Sequence, residues 1–392
     1  MTSPRAAIVQ ARRSVFGKYR GGLSGIRPDD LLAGVLAELA AATPSLDLAQ
    51  IDDVIMGDAN QAGEDNRNVA RMASLLAGWP VTVPGVTLNR LCGSGAEAIV
   101  QAARAIRAGD AEIVVAGGVE SMSRAPYVLP KSDQTLDPKT KLEQTTVGWR
   151  MTNPKFPQHW TDSLGECAQR SAEELGISRA EQDEWALRSH ELASAAWAAG
   201  KHDGFAVATN GVERDESIRP DTTLEKLAAL KPAFTADGSV TAGNSSPLND
   251  GAVATLLMSE NTAKEHGLEP LAFITASSVS ALEPDRFANA PVPAVRNLLK
   301  RTGLSADDID LFEINEAFAA MVLTVLHEAP EIPVSKVNPN GGAIAIGHPV
   351  GASAARVVVD TARELQRRGG GRGIATACIG VGLGIAVLVE VP

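Results

Sequence analysis

Three residues of this 392-residue chain carry reactive groups in settings that could use them: Cys92, His348 and Cys378. Cys92 lies in L-N-R-L-C-G-S-G (88–95), between an apolar approach (81–88) and a helix-like run (96–106), so it caps a strand-to-helix turn. Helix N-termini stabilise anions, and a thiolate is an anion. Gly93, Ser94 and Gly95 are small enough to let a carbonyl approach backbone amides closely. Taken alone, the stretch fits a buried structural cysteine beside a glycine turn equally well. His348 lies in G-G-A-I-A-I-G-H-P-V-G-A-S-A-A-R (341–356), where the crowd of small residues suits a ligand against backbone better than a packing histidine. A cysteine and a histidine at helix starts are the parts for nucleophilic acyl transfer: imidazole takes the thiol proton, and thiolate attacks a carbonyl. Cys378, in T-A-C-I-G-V-G-L-G-I-A (376–386), ends a strand before a glycine turn, the ordinary place for a buried apolar thiol. A second thiol near the first also suits a reaction that protonates a carbon leaving group and later deprotonates an incoming thiol.

The elements that must position these groups alternate strand with helix. A strand at 6–10 and a basic glycine-rich loop precede a helix from Pro28 to position 41, with Leu31, Leu32, Val35 and Leu39 at helical spacing. Then follow a strand (54–56), a polar loop, a helix (69–77), a strand (83–88), the cysteine turn, a helix (96–108) and a short apolar strand (112–116). From 121 to 246 the pattern is irregular, with helical pieces at 167–174 and 179–199. That is too long for a simple connection, so it reads as an inserted subdomain. Alternation returns with a strand at 252–258.

The last third repeats the first. I-D-D-V-I-M-G-D-A-N from Ile51 matches I-D-L-F-E-I-N-E-A-F from Ile309, each after a helix introduced by proline (Pro28, Pro293). C-G-S-G-A at Cys92 falls opposite H-P-V-G-A at His348, each followed by a long helix and then an apolar strand (112–116, 373–377). Two copies related by a pseudo-twofold would present Cys92 and His348 at equivalent helix starts, facing one another across a shared cleft.

Composition narrows the class. Hydrophobic residues make up 44% of the chain but aromatics only 4%, so the interior is Ala, Val, Leu and Ile in closely packed helix-on-sheet layers. A net charge of −11 argues against a nucleic-acid or anionic-membrane surface, and any anionic ligand needs local basic groups. The amino terminus shows no signal-peptide pattern, which points to the cytoplasm. The uncharged stretch 373–389 is broken by Gly380, Gly382 and Gly384 and reads as two buried strands around a turn, not a membrane span. Three scattered cysteines make no disulfide framework, and dispersed histidines without C-x-x-C spacing make no metal site.

With these residues in view, the chain resembles the thiolases, acetyl-CoA C-acyltransferases, over nearly its whole length. The motifs carrying the resemblance are N-R-L-C-G-S-G, G-G-V-E-S-M-S (117–123), T-A-G-N-S-S-P-L-N-D-G-A (241–252), N-E-A-F-A (315–319), G-G-A-I-A-I-G-H-P-V-G and C-I-G-V-G-L-G, in that order. The resemblance implies an α/β fold of five layers, αβαβα, from two duplicated mixed-sheet halves: 1–120 continued by 247–270, and 271–392. An inserted loop domain at 121–246 would hold coenzyme A. Cys92 would be the acylated nucleophile, His348 its activator, and Cys378 the acid or base at carbon. The thioester oxygen would be held by His348 and by a water on Asn315, with a second oxyanion hole from the amides of Cys92 and Gly380. Ser246 and Phe234 would line the pantetheine, Arg219 the nucleotide end, and Leu164, Phe287 and Phe318 the acyl and CoA pocket. CoA would be a co-substrate with no tightly bound cofactor, acyl-CoA the only partner besides further copies in a homotetramer (a dimer of dimers), without nucleic acid or membrane.

The chain departs from the family pattern at Pro247 and Val381, where glycine is common, at F-A-N-A-P (287–291) in place of M-G-x-G-P, and at Leu164, where the biosynthetic branch has methionine. In finer detail, A-N-Q-A-G-E-D-N-R-N-V-A-R-M-A (59–73) and T-T-V-G-W-R-M-T-N-P (145–154) are similar to the branch that cleaves 3-oxoadipyl-CoA in aromatic-acid degradation. The reaction expected is cleavage of a 3-oxoacyl-CoA by CoA, on 3-oxoadipyl-CoA or a fatty 3-oxoacyl-CoA. The alternatives are condensation of two acetyl-CoA and, more remotely, a non-catalytic acyl-CoA or lipid-binding protein of the same fold. A decarboxylating ketoacyl synthase would replace Cys378 by histidine or asparagine.

Overall fold

Along β1 (Ala6–Ser14) the side chains part by turns: Ala6 and Ile8 enter one buried cluster, Ala7 and Val9 another. That two-residue period with both faces apolar requires cover on both sides of the sheet. The computed structural model describes residues 4–132 and 141–392; the first three residues of the amino-terminal stretch and 133–140 of the irregular segment lie outside the described residues.

The first half continues through α1 (Pro28–Ala41), β2 (Asp53–Gly57), α2 (Val69–Leu76), β3 (Val86–Leu88), α3 (Ser94–Ala108), β4 (Ile113–Ser121) and β5 (Asn249–Ser259). The irregular segment contributes α4 (Leu164–Leu175) and α5 (Arg179–Ala198). The second half runs β6 (Ala272–Ala281), α6 (Pro291–Thr302), β7 (Leu311–Ile314), α7 (Ala319–Glu328), α8 (Val350–Arg368), β8 (Gly371–Ile379) and β9 (Leu383–Val391). Strand order is β7-β8-β9-β6-β1-β5-β4-β2-β3, symmetric about the β6–β1 junction. In the first half β2 pairs in parallel with both β4 and β3, in the second β7 pairs in parallel with β8, and the other neighbours in this order are antiparallel. β3 has a counterpart in the single parallel bridge from Phe312 to Val337. The duplication in the sequence is thus a duplication of topology.

α3 and α8 pack on one another and on strands of both halves, forming the middle layer. α1 and α2 cover one outer face, α6 and α7 the other, which completes five layers of an α/β fold. The middle layer admits little volume. A Cβ on Gly95 of α3 would stand 2.8 Å from both the Ala355 Cβ and the Gly351 carbonyl oxygen of α8. Alanine-rich helices meeting glycine explain how a core so poor in aromatics closes.

Local chemistry trims or extends the expected elements. The strand expected at 83–88 is only Val86–Leu88, because Pro84 has no amide hydrogen for a ladder. α3 begins at Ser94 rather than 96, and the strands after the two central helices are each nine residues long. α6 begins at Pro291, two residues before Pro293. The glycine-broken stretch near the C-terminus is the antiparallel hairpin β8–β9, and among the described residues no helix is long and apolar enough to cross a membrane.

The segment between β4 and β5 is laced into the body. Ala206–Val207 pairs in parallel with β1, and Arg13 forms a fully buried ion pair with Asp215 at 2.7 Å, to which Trp197 Nε1 also donates. Two buried charges are tolerable only when mutually paired. Breaking either partner would strand the other.

Candidate functional site

The Cys92 turn is a single 3-10 turn, Leu91–Gly93, at the start of α3. Leu91 has a φ of +48°, in the left-handed region that a branched side chain avoids. Polar contacts hold it there: the Leu91 amide donates to Asn89 Oδ1 at 2.8 Å, the Ser94 hydroxyl donates to the Leu91 carbonyl at 2.7 Å, and the Arg90 amide donates to Ser94 Oγ at 2.8 Å. Gly93 lets the turn close against β8, since a Cβ there would stand 2.4 Å from Ile379 Cδ1 and push that side chain aside. Cys92 emerges 8% exposed, and its own amide and that of Gly380 are both directed at its sulfur. Burial pushes the thiol up to about 11 against the pull of these two amides, with a further rise from the Glu120 charge. The sequence suggested a helix end that favours thiolate; burial wins, and the resting group is a thiol.

Gly380 sits in the β8–β9 turn, where Val381 has a φ of +61° and Gly382 a φ of +72°. The valine occupies a conformation that suits glycine, which is the physical content of that departure from the family pattern. Two strained residues, Leu91 and Val381, therefore flank the paired amides of Cys92 and Gly380. Cys378, two residues earlier and 1% exposed, is pushed well above the usual thiol range by burial first and then by the Cys92 charge. The two thiols are electrostatic neighbours.

His348 precedes α8. Its amide donates to Asn249 Oδ1 at 3.0 Å, and its Nδ1 lies 2.6 Å from Ser353 Oγ, which also lies 2.8 Å from the Pro349 carbonyl. A hydroxyl has one hydrogen. If Ser353 gives it to that carbonyl, which can only accept, Nδ1 must carry a proton and Nε2 a lone pair. Nε2 is buried and has no hydrogen-bond partner among the described residues. Burial, helped by the Arg356 charge, lowers the imidazole to about 4, so it is neutral at physiological pH. The start of α8 packs on the Leu91–Gly93 turn, which brings the two helix starts together as the repeat predicted.

Asn315 follows β7; its amide donates to the Thr376 carbonyl at 2.9 Å, on the strand that ends in Cys378. Both its side-chain polar atoms are buried without a partner among the described residues, so they are free to bind a water or a ligand oxygen. The loop with Ser246 pairs against this one: the Ser246 amide donates to the Ala317 carbonyl, and Ser245 bridges to Phe318. Phe318 meets Phe234 at 5.8 Å and Phe287 at 6.1 Å between ring centroids. Phe234 also lies against Gly165, next to Leu164 at the start of α4. Four expected pocket residues thus form one wall. Arg219 is not drawn into it: it lies exposed, its amide donating to His190 Nδ1.

Several supporting residues lay inside the quoted motifs but were not singled out. Glu120 accepts from the amides of Ala59 and Gly351, tying the loop after β2 to the start of α8. Glu316 accepts from Trp185, Ser189, Asn338 and the Ile344 amide, joining α5 to the approach to His348. Asn249 and Ser353 orient the histidine. Their signal was adjacency to a reactive residue, which does not reveal a bond across 99 positions such as that from His348 to Asn249. Trp149 was missed altogether: its Cη2 lies 3.8 Å from where a Cβ on Gly380 would stand.

Family models describe the chain in two parts: the N-terminal thiolase domain matches residues 6–261 and the C-terminal thiolase domain residues 268–391. A beta-ketoadipyl-CoA thiolase of Pseudomonas knackmussii is 50% identical, covering 98% of each chain. The 3-oxoadipyl-CoA/3-oxo-5,6-dehydrosuberyl-CoA thiolase of Escherichia coli K12 is 49% identical, covering 98% of this chain and 99% of its own. The crystal structure of human mitochondrial 3-ketoacyl-CoA thiolase in complex with CoA superposes with a TM-score of 0.92 at 38% identity, covering 99% of this chain and 98% of that one. By sequence, topology and fold alike, the chain belongs to the thiolase family of acyltransferases, which cleave 3-oxoacyl-CoA thioesters with CoA.

Proposed function

We propose that this enzyme cleaves 3-oxoadipyl-CoA with CoA to acetyl-CoA and succinyl-CoA, through an acyl group carried on Cys92. What supports the catalytic reading above all is the aim of the Cys92 and Gly380 amides at one point, with Cys378 beside it. His348 Nε2 takes the Cys92 proton as sulfur attacks the C3 carbonyl. The C2–C3 bond breaks, its electrons form the enolate of acetyl-CoA, and Cys378 supplies the proton that this carbon requires. The resulting Cys378 thiolate takes the proton of the incoming CoA thiol. The CoA sulfur attacks the acyl-enzyme, and Cys92 leaves and recovers its proton from His348.

In each half reaction the oxygen that gains charge has its own donors. The amides of Cys92 and Gly380 serve the acyl-enzyme oxygen, and the neutral buried Asn315 side chain serves the thioester oxygen through a water. Prepositioned donors of this kind commonly contribute about 3–4 kcal/mol each. Phe234, Phe287, Phe318, Leu164 and Ser246 line the approach of the pantetheine and acyl chain, and Arg219 offers charge to the phosphates. CoA is then a co-substrate and no cofactor is held tightly. The segment 121–246 serves as the CoA-holding insert between the two halves.

The substrate assignment rests on the relatives named above, two of them acting on six-carbon or longer 3-oxo dicarboxylic thioesters by name. Turnover should be compared across a panel of 3-oxoacyl-CoA esters by kcat/KM. 3-Oxoadipyl-CoA is expected to exceed acetoacetyl-CoA by at least about tenfold, the value of a single favourable charged contact. A reversal by orders of magnitude would assign the enzyme to acetyl-CoA condensation, and no turnover with any ester would leave only a binding protein.

The same reading makes the enzyme a cytoplasmic homotetramer. β3 is an edge strand, with Val81, Val86 and Leu76 exposed beside it, a surface that a second copy would cover. Sedimentation should give about four times the 40.8 kDa chain mass; a monomer would refute it.

A further inference from the structure

A substrate that ends in a carboxylate must find a cation close to the reacting thiols, and in a chain of net charge −11 that cation has to be local. The basic residues around the site are mostly spent. Arg170 lies between Asp162 at 2.6 Å and Asp285 at 2.9 Å, Arg286 is paired with Glu174, and Arg90 with Glu97 at 3.0 Å. Lys155 is exposed. Arg150 differs from all of these. It is half-buried, yet it makes no hydrogen bond, ion pair or ring contact with any described residue.

It directly follows a residue that the structure places beside the Gly380 turn. Trp149, the preceding residue, reaches to 3.8 Å from the Cβ position of Gly380, and its Nε1 donates to the Asp162 carbonyl at 3.2 Å. Gly148 and Met151, on either side of the pair, both have positive φ (+83° and +50°), so the backbone changes direction just before Trp149 and just after Arg150. The strand end leading to that turn is anchored where Asn60 Nδ2 donates to Thr145 Oγ1 at 2.9 Å. In 3-oxoadipyl-CoA the terminal carboxyl carbon lies three carbon–carbon bonds beyond the carbonyl under attack, ~4 Å in an extended chain. The Arg150 side chain is long, and its neighbour's ring lies beside the Gly380 turn, whereas Arg219, expected at the nucleotide end, is exposed beside His190 and not part of the same wall.

We infer that Arg150 is the receptor for the distal carboxylate of the acyl chain, with the Trp149 ring covering the methylenes between. The inference rests on the dicarboxylic substrate reading above. A guanidinium offers two parallel donors to a carboxylate, and a free, half-buried one loses less solvation on binding than a fully exposed lysine. The pairing acts on chain selection, since the carboxylate is bound in the same way before and after sulfur attack.

The test is the ratio of kcat/KM for 3-oxoadipyl-CoA to that for 3-oxohexanoyl-CoA, which has the same carbon count but ends in methyl. Arg150→Gln and Arg150→Met, read side by side so that a folding defect in one does not decide the matter, should lower this ratio by about 10–100-fold. Arg150→Lys, which keeps the charge but not the paired donors, should recover only part of it. If the wild-type enzyme favours 3-oxoadipyl-CoA and both neutral variants keep that preference, the carboxylate receptor is another residue and this inference falls alone. If the wild-type ratio itself is near one, the dicarboxylic substrate reading falls, and the inference with it.

Discussion

Cys92→Ala is expected to abolish labelling of the enzyme by acetyl-CoA and to lower thiolysis on the order of 10⁶-fold, the scale of losing a covalent nucleophile. The reasoning turns on what burial does to the thiol. With its acidity pushed to about 11, only about one molecule in 10⁴ would be thiolate at pH 7 without help. Attack therefore depends on a base that removes the proton as sulfur advances, and His348 is neutral and carries an unpartnered Nε2. Alanine in place of Cys92 leaves that base, the Gly380 amide and the Asn315 side chain intact but gives them no sulfur to serve. Mass measurement after incubation with acetyl-CoA reads the first half reaction directly. An acetyl group that still appears on the alanine variant, at Cys378 or elsewhere, defeats the assignment of Cys92. The expected folding cost is small, because the change removes one sulfur atom from a turn already fixed by Asn89 and Ser94.

Much of this site was legible in the chain because its makers are local. The Cys92 turn, the His348 approach and the β8–β9 turn are glycine-rich stretches next to helices or strands of clear period, so sequence shows each of them. The internal repeat then carried the argument further, since it related Cys92 and His348 without any knowledge of tertiary contacts. Pairing was harder. Nothing in a single sequence says that β9 inserts between β8 and β6, or that β1 and β6 join the two halves of the sheet at Ala7, Ile8, Ala272 and Phe273. Strand order of that kind follows from which faces remain uncovered after the helices dock, a property of the assembled layers. Polar support was also out of sight. Glu316 joins four donors from three parts of the chain, and Trp149 comes beside the β8–β9 turn at Gly380 from 231 positions away in sequence, counting from 149 to 380. The amphipathic pattern that reveals helices carries no record of where a buried carboxylate finds its donors.

Cys378→Ala separates the two jobs of the thiols, and its expected outcome differs in kind from that of Cys92→Ala. Labelling of Cys92 by acetyl-CoA should persist, while cleavage of 3-oxoacyl-CoA should fall about 10²–10⁴-fold, the range for loss of one general acid–base group. The difference follows from the leaving groups. Acetyl transfer to Cys92 releases CoA as a thiolate, which is stable enough near neutral pH to depart without an acid. Carbon–carbon cleavage releases an enolate, whose carbon must be protonated within the site. Burial and the neighbouring Cys92 hold the Cys378 thiol well above the usual range, so it keeps its proton until a stronger base, such as that carbon, appears beside it. Alanine removes the proton source and leaves the β8 strand end in place, with Gly384 still opposite it in the hairpin. Exchange of hydrogen at the methyl of acetyl-CoA in deuterated water gives an independent reading of the same proton transfer, and it should fall in parallel with cleavage. If the variant cleaves 3-oxoacyl-CoA within a few-fold of wild type, or exchanges the methyl hydrogens at an undiminished rate, the proton at carbon comes from another group, and the titratable His348, with its unpartnered Nε2, is the candidate to test next.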